Sequence, residues 1–135
     1  MADAILIDTN VLVRHLTHDD PRKAARCRDL FQRAAKGEVE LILTDLCLAE
    51  LAWTLASHYQ LERQQIADYL EATVTAPGLV CSDLNLWLHT LRLYSTTTVS
   101  FIDAYHAALA HRDGQKVCSY DRDFDRFPDI QRIEP

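Results

Sequence analysis

Strand-like and helix-like blocks of hydrophobic residues alternate along this chain in a regular order. Short runs of strand character stand at 4–7, 40–43, 79–81 and 116–119, with a weaker one at 130–133. Between them, apolar residues recur every three or four positions over 22–36, 46–56, 62–76 and 101–113, the spacing of amphipathic helices. Three of these helical stretches end at a glycine (Gly37, Gly78, Gly114) and pass directly into a strand run. Glycine just past a helix end takes the left-handed conformation without the penalty that a Cβ would bring. A repeat of helix, glycine and strand predicts an α/β fold with a central, mostly parallel sheet of four to five strands. The chain is read as a single domain over residues 1–135, with enough length for a core of its own.

Two helices carry more detail. The stretch 46–56 is apolar nearly all round, which predicts burial, and Glu50 is its only charge. The alternative is a narrow solvent stripe through Glu50, Thr54 and Ser57. Trp53, Trp87 and the leucine-rich 84–93 are read as core. On 22–36, Arg22, Arg26, Arg33 and Lys36 form one stripe opposite Cys27, Leu30, Phe31 and Ala34. That stripe is read first as a solvated face, with Asp29 pairing Arg26 or Arg33, and second as a surface that tracks phosphates, to which Arg14 adds.

Charge alters the picture only in part. The net charge of −6 argues against a nucleic-acid partner when taken globally. Setting aside four acids with a separate role brings it to −2, and the stretch 14–36 is locally +4, seven cations against Asp19, Asp20 and Asp29. Cys27, Cys47, Cys81 and Cys118 lie mostly inside apolar runs with no C-x-x-C pair, and are read as buried free thiols in a reducing cytoplasm. No apolar run approaches the roughly 20 residues of a membrane span, and the N-terminus lacks the pattern of a secretory signal.

The candidate chemistry sits where strands stop and helices start. Asp8 follows 4–7, Asp121 follows 116–120, Asp103 opens the helix after Ser100, and Glu50 stands in its apolar helix. Ser, Thr and Asp at such exits also serve as helix N-caps. Asp8 fits a cap as well as a ligand, and Thr9 and Asn10 are placed to hold its carboxylate by local hydrogen bonds. Ser100 and Asp103 have the spacing of a capping box. In parallel sheets the carboxyl ends of strands form the ligand-binding edge. Two carboxylates gathered about 4 Å apart repel by about 4 kcal/mol at an effective dielectric of about 20. Protons or a divalent cation must offset that, and all-oxygen ligands suit Mg²⁺ or Mn²⁺. Asp123 and Asp125 are read as surface caps on a short helix, since the glycine and distal glutamate of a calcium loop are absent. The six histidines form no zinc set, and three glycines in all leave no phosphate-cradling loop.

Assembled in order, these pieces resemble the PIN-domain family, and within it the VapC branch of toxin ribonucleases. The matching stretches are Ile7-Asp8-Thr9-Asn10-Val11-Leu12, Leu48-Ala49-Glu50-Leu51, Phe101-Ile102-Asp103-Ala104-Tyr105-His106-Ala107-Ala108-Leu109-Ala110, and Ser119-Tyr120-Asp121-Arg122-Asp123-Phe124-Asp125. The resemblance implies a three-layer α/β/α sandwich and a metal-dependent endoribonuclease. Its four acids map onto Asp8, Glu50, Asp103 and Asp121, with Thr9, Asn10 and Ser119 in supporting positions. Asp8 and Asp103 are the foremost ligands for one or two Mg²⁺ or Mn²⁺ ions, and Glu50 and Asp121 bind directly or through water. It further implies an RNA substrate, a homodimer, and an antitoxin protein as partner. A PIN enzyme of RNA processing and a non-catalytic RNA-binding module stand as the alternatives.

Overall fold

The structure, a computed structural model, describes residues 2–135, which divide into two compact units, one through Leu84 and one over Asn85–Pro135. The first holds β1 (Asp3–Leu6), α1 (Thr9–Leu16), α2 (Pro21–Ala35), β2 (Val39–Ile42), α3 (Asp45–Ser57), α4 (Arg63–Val74) and β3 (Leu79–Val80). Its three strands pair in parallel in the order β1-β2-β3, with Ala4 opposite Glu40 and Leu41 opposite Leu79. The ladder runs one residue beyond the strand ends, since Ile7 N–H donates to the Ile42 carbonyl at 3.0 Å and Leu43 N–H to that of Val80 at 2.8 Å. Asp8 and Thr44 are thereby delivered to the same edge of the sheet. Leu41 and Leu43 from β2 and its extension, Leu12 from α1, Leu48, Leu51 and Leu55 from α3, and Ile66 and Leu70 from α4 are almost wholly buried.

The second unit is opened by α5 (Leu84–Thr96) and continues with α6 (Phe101–Asp113), β4 (Val117–Cys118), a 3-10 helix (Arg122–Arg126) and β5 (Arg132–Ile133). β4 and β5 pair in parallel, Val117 opposite Arg132. The α/β class and the parallel pairing follow the sequence expectation. The five strands form two groups, of three and two. Trp87 is buried and packs on the rings of Phe101 and Tyr105, with centroids 5.9 and 5.3 Å away. Ala104, Ala107 and Ala108 are buried on α6.

All three glycines have positive φ, as the helix–glycine–strand repeat requires. Two expectations fail. Helix α3 is not buried all round. Cys47, Leu48, Leu51, Ala52 and Leu55 face the core, whereas Leu46 is 83% exposed and Trp53 69%. Contacts with α1 and α4 cover one side of α3, and composition alone could not say which side. Trp53 is therefore no core residue, and Glu50 stands in an exposed stripe with Leu46, Trp53 and Ser57 at helical spacing. The second failure is the ion pair on α2. Gly37, at φ +79°, turns the chain so that Glu38 N–H donates to the Arg33 carbonyl at 3.0 Å. Arg33 then pairs with Glu38 at 3.3 Å instead of with Asp29. Among the cysteines, Cys27 and Cys47 are buried as expected, but Cys118 is exposed, and all four are free thiols.

Candidate metal centre

Helix α6 starts where Ser100 caps it, the Ser100 hydroxyl oxygen accepting from Asp103 N–H at 3.1 Å. This places the Asp103 carboxylate in the first helical turn, where the helix dipole favours a negative charge. Asp121 follows the β4 exit and caps the 3-10 helix. Its backbone N–H donates to Ser119 Oγ at 3.0 Å, and its side chain accepts from Asp123 N–H at 2.9 Å. Ser119 thus holds the turn that presents Asp121. The short loop folds Asp123 back beside Asp121, and one carboxylate oxygen each from Asp103, Asp121 and Asp123 lies within 4.8 Å of the others. Among the described residues this is the only such cluster of three or more potential ligands.

The crowding has an electrostatic signature. The Asp103 carboxyl is pushed above the ordinary aspartate range, first by burial and also by the neighbouring Asp121, against a lowering hydrogen bond with Ser100. Three hard oxygen donors with mutual repulsion to relieve fit a small divalent cation such as Mg²⁺ or Mn²⁺. Asp123 also approaches Arg126 Nε at 3.6 Å, and Arg126 donates to Thr98 Oγ1 at 2.7 Å. Asp125, by contrast, is spent on Arg132, accepting from Nε at 2.9 Å and Nη2 at 3.3 Å.

Asp121, not Asp123, takes the cap position of the 3-10 helix, and Asp123 lies beside Asp121 and Asp103. Its signal is the Asp121-Arg122-Asp123 alternation. In a calcium loop that alternation would supply alternate ligands, whereas here a capped 3-10 turn brings two such acids to one side.

In the first unit, Asp8 takes the N-cap position of α1, yet its side chain makes no capping hydrogen bond. The carboxylate is not consumed by the helix. Thr9 does not hold it: buried against α3, Thr9 Oγ1 donates to Cys47 Sγ at 3.5 Å. Asn10 lines a cleft of about 330 Å³ with Val11, Arg14, Lys23, Arg26 and Cys27. The Cys47 thiol ties Asp8 and Glu50 to one neighbourhood. Its pKa is raised chiefly by burial, opposed by the Thr9 hydrogen bond, and raised further by the charges of Asp8 and Glu50. Nearby, Ser82 Oγ donates to Asp45 at 2.7 Å and links the exits of β3 and β2. Arg22, Arg26, Arg33 and Lys36 are exposed on α2, as their stripe predicts.

An acidic cluster presented by a strand exit and a helix start, in a chain of parallel α/β units, offers three oxygen ligands at one place. The family model described as PIN domain matches residues 5–130, so the chain belongs to the PIN-domain family, a family of nucleases. No curated protein matches it. Among solved structures it is similar to one described as VapBC2 from Rickettsia felis bound to a DNA fragment from their promoter. That likeness has 12% identity, a TM-score of 0.39, and coverage of 97% of this chain and 98% of the other. No helix among the described residues is long and apolar enough to cross a membrane.

Proposed function

We propose that this PIN-family chain is a metal-dependent endoribonuclease and the toxin of a VapBC-type pair. The observation that carries the nuclease reading is the convergence of Asp103, Asp121 and Asp123 oxygens within 4.8 Å, in a family of nucleases. Those three carboxylates would hold Mg²⁺ or Mn²⁺. When bound, such an ion supplies Lewis acidity toward a phosphate oxygen and acidifies a water. The chain's own part is to fix the carboxylates. Ser100 and Ser119 set the turns that present Asp103 and Asp121, and the half-buried setting of Asp103 keeps competing solvent low. We assign Asp8 and Glu50 to the same activity. Asp8 has a carboxylate free of capping duty, and Glu50 has an exposed one. Hydrolysis by water, without the 2′-OH as nucleophile, leaves 5′-phosphate and 3′-OH ends.

The toxin assignment rests on the Asp8-Thr9-Asn10, Glu50, Asp103 and Asp121 stretches read in register. It is supported by the exposed face of α3, where Leu46 and Trp53 flank Glu50. An apolar stripe beside a functional acid suits a partner chain, an antitoxin or a second copy. A cytoplasmic location follows from the same reading.

The test is incubation of the purified chain with total RNA in Mn²⁺ or Mg²⁺, with EDTA and Asp103→Asn as controls. Discrete fragments ending in 5′-phosphate, absent in both controls, are expected. Cleavage that persists in EDTA would refute the mechanism. Relief of cleavage by the product of an adjacent small gene tests the toxin assignment, and light scattering tests the homodimer.

A further inference from the structure

Some cations of this chain are held by acids and others are not. Arg33 pairs with Glu38, Arg112 with Asp113, Arg126 with Asp123, and Arg132 with Asp125 and Glu134. Arg14, Lys23 and Arg26 pair with no acid among the described residues, and all three line the cleft between α1 and α2. Asn10 and Arg14 share a face of α1 at i, i+4, and Lys23, Arg26 and Cys27 share one on α2. Val11 and the buried Cys27 complete the lining with apolar atoms. Other surface cations among the described residues also lack an acid partner, but these three converge on one concavity whose lining contains no acid to answer them, in a chain of net charge −6.

We propose that this cleft takes a backbone phosphodiester of single-stranded RNA, with its ribose on the apolar lining. The proposal rests on the ribonuclease reading for the identity of the ligand. Cations arriving from two helices can surround a tetrahedral phosphate on several sides, whereas a planar carboxylate is best met by one arginine in a fork. The cleft volume, about 330 Å³, sits at the low end of the roughly 300–1,000 Å³ typical of ligand clefts. That leaves room for a nucleotide-sized group beside the phosphate. A nucleotide that enters a cleft must leave its stack, which a single strand permits more readily than a duplex. The Asn10 amide can donate to a sugar or phosphate oxygen.

The test is binding of a labelled single-stranded oligoribonucleotide to the full chain in EDTA, followed by fluorescence anisotropy across a salt series. The variant Arg14→Gln/Lys23→Gln/Arg26→Gln is expected to bind about tenfold more weakly at low salt, with a slope of log affinity against log salt smaller by about 0.7 per phosphate released. Lys116→Gln, exposed elsewhere, should leave both unchanged. If the triple variant loses its thermal transition, Lys23→Gln/Arg26→Gln, both at exposed positions, carries the same comparison. Wild-type affinity and slope in a folded variant overturn the proposal. So does displacement of RNA by adenosine monophosphate or by an oligoglutamate peptide as effectively as by unlabelled RNA, since either marks a different ligand. RNA binding through the cleft without any cleavage upholds the cleft and defeats the nuclease reading. Cleavage with an unchanged slope in the variant does the reverse.

Discussion

Gly37 and Gly78 have almost the same backbone conformation, φ +79° and +83°, but different surroundings, so one substitution at each separates two costs. A Cβ at Gly37 would meet nothing within 4 Å. At Gly78 it would lie 2.3 Å from the Ala34 carbonyl oxygen, 2.6 Å from its carbon and 2.8 Å from the Ala34 Cβ. Gly37→Ala therefore incurs only the left-handed penalty of about 1–2 kcal/mol, reduced by about 0.4–1 kcal/mol through the stiffer unfolded chain. A net loss of about 1 kcal/mol is expected. Gly78→Ala incurs the same and must in addition displace the last turn of α2, an overpacking cost of about 1–3 kcal/mol or more. The obstacle is backbone, so no side-chain rotation relieves it. The Gly78 carbonyl also accepts from Leu41 N–H at 2.8 Å, so movement there loosens β3 from β2. A total loss of about 2–4 kcal/mol follows. Urea titration of the two variants beside the parent measures both losses, and equal values would refute the close packing of Gly78 against α2.

Mn²⁺ is expected to raise the melting temperature of the parent, by a gain that reaches about 2.7 kcal/mol at one hundred times the dissociation constant, and Asp123→Asn should abolish that rise or shift it to at least about tenfold higher concentration. An unchanged Mn²⁺ response would remove Asp123 from the centre. His15 has its pKa lowered by burial and by Arg28, and its Nδ1 is buried without a hydrogen-bond partner. The unfolded chain therefore binds the proton more readily, and its stability contribution is full above pH 6.5 and is lost as pH falls below that value. His15→Phe keeps the stacking on Phe31 and should flatten that part of the stability–pH curve. A parent and variant with parallel curves from neutral pH to pH 5 would contradict this. Trp87→Ala should cost about 3–5 kcal/mol and Trp53→Ala within about 0.5 kcal/mol, as read by thermal or chemical denaturation. Comparable losses would mean that the α3 face is not free.

The parallel units were legible because period and punctuation agree. Glycine stands at each helix-to-strand turn, and small polar residues stand at the strand exits. Asp103 and Asp121 could be found for the same reason, since both lie at element boundaries that the pattern marks. Asp123 could not, because its position depends on a 3-10 turn closed by one hydrogen bond to Asp121, a local geometry that hydrophobic spacing does not encode. Trp53 misled for a related reason. A helix apolar on every side offers no moment to orient it, and only its contacts with α1 and α4 decide which residues are covered. The cleft was invisible as a cleft, because Arg14 belongs to α1 and Lys23 and Arg26 to α2, and only packing joins them.

Arg126 gives the acidic cluster a property of its own. Tethered by Thr98 and 3.6 Å from Asp123, it is a resident counter-ion, so the trio of aspartates is partly compensated before any metal arrives. A divalent ion held there would enter by exchange, loosening that ion pair as it gained its ligands, and its net hold would be weaker than three carboxylates alone would give. Under the proposed metal-binding reading, such a centre would fill and empty with the free cation level around it, an occupancy set by the fold and not by the number of acids.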